Sequence, residues 1–197
     1  MSKKVVKRCA WPLKGNELYL KYHDEEWGVP AWDEETQFEF LILEGAQAGL
    51  SWSTILNKRE GYRAAFANFD AEKIARFGKR DVARLMNDAG IVRNKLKIEG
   101  AITNARLYLE FREQHGSFAE HLWSFVGGKP IENRFAENKQ VPATTKESDA
   151  ISKDLKKRGF KFVGSTIIYA HMQATGMVND HLTSCFRWKE CRALARK

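Results

Sequence analysis

Through most of this 197-residue chain apolar residues return every three or four positions, and no segment shows the clear alternation of a half-buried strand. A chain patterned that way buries its apolar surface by packing helices on one another, so the expected fold class is all-α. Residues 34–47 start behind Asp33, a side chain suited to a helix N-cap, with two glutamates in the first turn. Ser51 opens 52–67, which Asn68 and Asp70 close. Asp81 begins a short helix ending at Gly90, residues 93–114 run on to Gly116, and Ser117 starts a helix ending at Gly127 and Gly128. Two more helices are expected, Lys146 to Arg158 and Ser165 to Thr175, split by the turn Gly159–Gly164. Residues 129–145, with Pro130 and Pro142, lack periodicity and read as a loop, not as a linker between domains.

The net charge of +8 is unevenly spread. From Asp24 to Asn57 there are eight acidic residues and no Lys or Arg, which leaves +16 for the rest of the chain. That remainder would attract a polyanion such as nucleic acid, although a mildly basic surface also occurs without one. No stretch approaches the ~18 consecutive apolar residues of a membrane span. The start MSKKVVKRC has charge but no apolar core and no cleavage site, so no secretory signal is expected. Three scattered cysteines, Cys9, Cys185 and Cys191, do not make a disulfide framework and point to the cytoplasm.

Four places can carry chemistry. Glu44 has Phe40, Leu41, Gln47 and Ala48 as its three- and four-residue neighbours on a helix. A carboxylate there is desolvated, and it either meets a structural partner such as a buried arginine or faces a ligand. The small residues of Gly45–Gly49 let a ligand or another backbone come close. Tyr19, Tyr22, Trp27 and Trp52 offer flat faces that, beside a carboxylate, suit a cationic heterocycle. Trp11, Trp32, Trp123 and Trp188 are assigned to ordinary packing. Cys9 and His23 near one end and His181 and Cys185 near the other form a donor set without carboxylates, suited to a closed tetrahedral zinc site. Finally, the turn before Gly164 and Ser165, with Lys156, Lys157, Arg158 and Lys161, fits either a phosphate or plain solvent.

Read in series, YHDEEWGVP (22–30), LEGAQAGLSW (43–52), DAGI (88–91), WSFV (123–126), KRGFKFVG (157–164) and VNDH (178–181) closely resemble the 3-methyladenine DNA glycosylase I family from about Cys9 to Cys185. The resemblance implies a helix-hairpin-helix DNA repair fold, one compact unit over 1–197 with two helical lobes and the base pocket between them. It implies hydrolytic release of 3-methyladenine from alkylated double-stranded DNA, leaving an abasic site. It also implies one structural Zn2+ held by Cys9, His23, His181 and Cys185, a base contact by Glu44, and pocket aromatics at Tyr22 and Trp52, with Tyr19 beside them. Lys161, Gly164 and Ser165 are expected to meet DNA. Leu50, between Gly49 and Ser51, is either a wedge filling the gap left by a flipped base or a core leucine at a helix junction. The enzyme is expected to act as a monomer, without a nucleotide cofactor and away from membranes. Asp180 falls near the position where related glycosylases carry a catalytic aspartate, but that role is not assigned to it. The tail 186–197 lies outside the resemblance. Two other readings are a zinc-stabilised DNA-binding module without catalysis and a glycosylase that also cleaves the strand through a lysine.

Overall fold

The computed structural model describes residues 6–14 and 16–195. The first five residues, on which part of the signal-peptide reading rests, and the last two residues of the tail lie outside them. Among the described residues the chain forms α1 (Glu17–Glu25), α2 (Glu34–Gln47), α3 (Trp52–Asn57), α4 (Arg59–Ala65), α5 (Ala71–Ala75) and α6 (Lys79–Met86). It continues with α7 (Lys95–His115), α8 (Phe118–Ser124), β1 (Ile131–Glu132), α9 (Lys146–Lys157), α10 (Ser165–Ala174), β2 (Val178–Asn179) and α11 (Phe186–Leu194).

Side-chain caps explain most of the helix starts. Asp33 accepts from Thr36 N–H, Ser51 from Thr54 N–H and Ser117 from Glu120 N–H, as the sequence implies. Elsewhere the structure departs from the sequence signals. The helix from Ser51 stops at Asn57, turns at Lys58 and resumes as α4. Asp70 does not close it but caps α5, accepting from Lys73 N–H. Asp81 sits one turn inside α6, where its carboxylate accepts the Gly78 N–H, so that helix starts at Lys79. The purely helical expectation also needs one correction, because β1 and β2 pair in parallel, Ile131 opposite Val178 and Glu132 opposite Asn179. Two residues per strand are too few for alternation to show in the sequence. That bridge pins the aperiodic loop to the chain just ahead of His181.

α2 is the central element. It packs against α3, α7, α8 and α10, with Phe38, Leu41, Ile42 and Leu43 almost fully buried. A helix covered on nearly every side carries its polar groups inside as well, and Glu44 is one of them. The turn between α9 and α10 seats on the same core. Asn104, buried on α7, accepts the Lys161 N–H (2.7 Å) and donates to the Lys161 carbonyl (3.0 Å). Phe162 lies against Gly45 and Gly100, where a Cβ on either glycine would crowd its side chain. The tail is not a loose appendage: α11 docks through Trp188 and Cys191, and Phe186 N–H bonds the Lys7 carbonyl.

Candidate active site and metal centre

A cavity of about 340 Å³ opens where α1, α2, α3 and α10 meet the loop that follows β1. α2 contributes Glu44, the start of α3 contributes Trp52, α1 contributes Tyr19 and Tyr22, and the turn after α1 contributes Trp27, so five predicted residues converge. Tyr22 and Trp52 lie with ring centroids 5.3 Å apart, and Phe40 backs the indole at 6.1 Å. Trp11 must be reassigned from packing to this wall, where it meets Trp27 edge-on at 5.1 Å. No sequence signal placed it there, since it follows Cys9 and only the tertiary contact of the chain ends brings it in.

Glu44 is 3% exposed, and burial pushes its pKa up to about 8. Its Oε2 and the indole N–H of Trp52 are both buried without a hydrogen-bond partner among the described residues. An unmet buried polar group costs roughly 1–3 kcal/mol, and a ligand offering a donor to the carboxylate and an acceptor to the indole would satisfy both. Opposite stands Asp180, buried and fully engaged: Oδ1 accepts from Asn133 Nδ2 (2.6 Å), while Oδ2 accepts from the Tyr169 hydroxyl (2.6 Å) and Gln173 Nε2 (2.8 Å). Two carboxylates and no basic side chain line the cavity among the described residues. Flat, acidic and aromatic, it is complementary to a planar cation with an N–H edge.

Cys9, His23, His181 and Cys185 come together from the two ends of the chain, all buried, with one donor atom of each within 4.8 Å of the others. Cys185 Sγ stands 3.5 Å from His23 Nε2 and 3.7 Å from His181 Nδ1, and Cys9 Sγ stands 3.8 Å from His181 Nδ1. Ligands at about 2.0–2.3 Å around a tetrahedral ion lie roughly 3.3–3.8 Å apart, the range of these three separations. The outer hydrogen bonds fix the rings in the required tautomers. Asp24, which only accepts, takes the His23 Nδ1–H at 2.7 Å and is itself held by Arg8. The Trp27 carbonyl takes the His181 Nε2–H at 2.8 Å. Both remaining ring nitrogens therefore turn lone pairs toward the thiols. A hydrogen bond with Cys185 and burial push the Cys9 thiol well above its ordinary range, so both sulfurs can be thiolates only around a cation. The cluster can bind a metal, and its ring packing reaches the cavity: Trp11 lies edge-on to His23 at 5.2 Å and Trp27 to His181 at 4.6 Å. Of the other histidines, His171 is bonded to Gln37 and His121 to Asp154, while His115 is exposed at the end of α7.

The remaining predicted residues lie outside the cavity. Leu50 is 41% exposed, so it is not a core leucine. It follows Gly49, whose φ of +76° suits glycine at this turn. Lys161 is exposed on the α9–α10 turn, and Gly164 is the N-cap of α10 with no side chain over the helix end. The Ser165 hydroxyl is 2.8 Å from that of Ser148, which already donates to the Thr145 carbonyl. Ser165 thus has its proton committed and can offer an anion only its main-chain N–H.

Comparison with known proteins bears on the same regions. A family model described as methyladenine glycosylase matches residues 11–188. DNA-3-methyladenine glycosylase 1 of Escherichia coli (strain K12) is 50% identical over 180 residues, 91% of this chain and 96% of that protein. A crystal structure of 3-methyladenine DNA glycosylase I matches with a TM-score of 0.89 at 51% identity, covering 91% of this chain and 98% of the other. A variant of 3-methyladenine DNA glycosylase I in complex with 3-methyladenine matches with a TM-score of 0.87 at 38% identity, over 91% of this chain and 96% of the other.

Proposed function

This chain belongs to the methyladenine glycosylase family, and from that membership we infer how its own residues carry the reaction. It is a DNA-3-methyladenine glycosylase, a repair hydrolase that excises 3-methyladenine from DNA. The observation that carries the site assignment is the buried, unpartnered Glu44 carboxylate in an aromatic cavity free of basic side chains.

A purine methylated at N3 is cationic within DNA, so its glycosidic bond is already weakened and the base departs neutral. The protein therefore has little acid catalysis to supply. It must draw the nucleotide out of the stack, at a cost of a few kcal/mol, and favour the charged base over neutral adenine. The base lies against Trp52 and Tyr22 with Tyr19 beside them, while Glu44 accepts from its amine or ring edge. Because the partner is a cation, binding draws the Glu44 proton off and the ion pair forms in a water-poor site. Water then attacks the sugar and leaves an abasic site. No lysine lines the cavity among the described residues, which supports simple hydrolysis over a covalent lysine adduct. Chromatographic detection of free 3-methyladenine released from methylated DNA, with no adduct trapped by borohydride, tests this reading.

The α9–α10 pair serves as a helix-hairpin-helix element, with Lys161, Gly164 and the Ser165 N–H on phosphate. Lys161→Glu should weaken binding to DNA of any sequence and make the slope of log affinity against log salt shallower by about 1. Unchanged affinity and slope would put the DNA elsewhere. Leu50 fills the gap left by the extruded base. Leu50→Ala should slow excision from duplex roughly tenfold or more, leave single strands within about twofold, and barely move the melting temperature. A large loss of stability, or equal losses on both substrates, would mean that Leu50 does not act as the wedge.

The Cys/His cluster holds zinc, which ties the chain ends together, leaves no open position and takes no part in the hydrolysis. The enzyme works as one cytoplasmic, monomeric unit over 1–197, with the base pocket between its two helical lobes. No described helix is long and apolar enough to cross a membrane.

A further inference from the structure

Lys97, in the first turn of α7, does not point to solvent as a lysine beside a DNA-binding surface would. Its ammonium donates to the Ala46 carbonyl and to the Ala48 carbonyl, both at 2.7 Å. These are terminal carbonyls of α2, the helix that carries Glu44, and they flank Gln47, which lines the cavity. A cation there also meets the negative end of the helix dipole. Just beyond, Ala48 leaves helical geometry at φ −43° and ψ 116°, Gly49 takes φ +76°, and Leu50 N–H returns to the Gln47 carbonyl at 2.6 Å. The exposed Leu50 side chain thus stands on a turn whose first carbonyls are gripped by another helix. Asn94 caps α7 by accepting the Lys97 N–H, which fixes the base of that grip. Partial burial lowers the Lys97 pKa, as expected for an ammonium facing carbonyls in place of water.

We propose that Lys97 is a positioning residue for base extrusion, holding the Ala48–Gly49 turn so that Leu50 is rigid before it meets the duplex. The proposal rests on the reading of Leu50 as the wedge. A leucine on a loose turn would lose side-chain and backbone freedom on entering the stack, and that cost would fall on the opening step alone. A single strand has no stack to open, so it needs neither the wedge nor its support.

The test is single-turnover excision from methylated duplex and from methylated single strand, with Lys97→Met, Lys97→Arg and Leu50→Ala measured side by side. Lys97→Met keeps the stem and removes the donor. It should slow duplex excision roughly tenfold, leave the single strand within about twofold, and keep the salt slope for unmodified duplex. Lys97→Arg, which can also reach two carbonyls, should recover most of the loss. If Lys97→Met melts early, Lys97→Gln carries the same comparison. Equal losses on both substrates with a shallower salt slope would make Lys97 a phosphate contact and overturn the proposal, as would no loss at all. If Leu50→Ala itself spares the duplex, the wedge reading fails and the proposal falls with it. If Leu50→Ala is duplex-selective and Lys97→Met is not, only Lys97 is wrong.

Discussion

Glu44→Gln is expected to excise 3-methyladenine at least about 10²-fold more slowly than the parent while melting at a higher temperature above pH 8. The first half follows from removing the carboxylate that would pair with the cationic base, the one unpartnered carboxylate among the described residues lining the cavity; an electrostatic loss of that kind commonly costs 10²–10³ in rate. The second half follows from linkage. Burial raises the Glu44 pKa from 4.5 to about 8 in the folded state, so the folded protein binds that proton more tightly than the unfolded chain. Its contribution to stability is full below pH 4.5, shrinks as pH rises, and is lost above about 8, where the folded state holds a desolvated carboxylate. Glutamine keeps the shape without the charge, so the variant escapes that decline. Thermal melts at pH 5 and pH 9 should show the gap between the two proteins widening with pH. A variant less stable than the parent at both values would mean that Glu44 has a structural partner.

Disrupting the Cys/His cluster, proposed to hold zinc, should have the larger effect on folding and the smaller one on chemistry. Purified protein is expected to contain one zinc per chain by metal analysis. Cys185→Ala, or stripping with a chelator, should lower the melting temperature by roughly 10 °C or more, since binding at a closed site contributes directly to folding free energy. Well below the transition the variant should still excise the base. Because Trp11 and Trp27 rest on His23 and His181, tryptophan fluorescence should change on stripping while the protein is still folded. Folded protein without zinc, or melting that ignores the chelator, would contradict this assignment.

Legibility in the sequence followed the range of the forces involved. α2 could be placed to the residue because its signals are local: Asp33 accepts from Thr36 N–H, and Glu34 and Glu35 sit in the first turn. The burial of Glu44 was likewise visible in its apolar neighbours one helical turn away. α1 escaped notice because tyrosines, charges and a histidine interrupt its apolar stripe, although Asn16 accepts from Tyr19 N–H as its cap. The break at Lys58 is tertiary. Arg59 leaves the line of α3 so that its guanidinium can bond Glu39 and Glu26 and cover the Phe40 ring at 5.1 Å. Glu26 lies on a segment more than thirty residues away, and no local pattern announces it. The Cys/His cluster shows the same limit, since Cys9 and His181 are 172 positions apart: the residue types alone suggested a donor set only weakly, and the series of family motifs strengthened it. Trp11 was missed for that reason too: its role depends on where the chain ends cross.

The most direct test of Glu44 as the group that recognises the charged base is the pH dependence of single-turnover excision at subsaturating enzyme, for the parent and for Glu44→Gln. The substrate keeps its charge across the range, so the ionisation that matters is that of the carboxylate. The parent rate should climb about tenfold per pH unit below the Glu44 pKa and level off near pH 8. The variant should be slow and flat. A flat parent profile, or a Glu44→Gln protein that excises and binds 3-methyladenine like the parent, would place recognition of the base elsewhere.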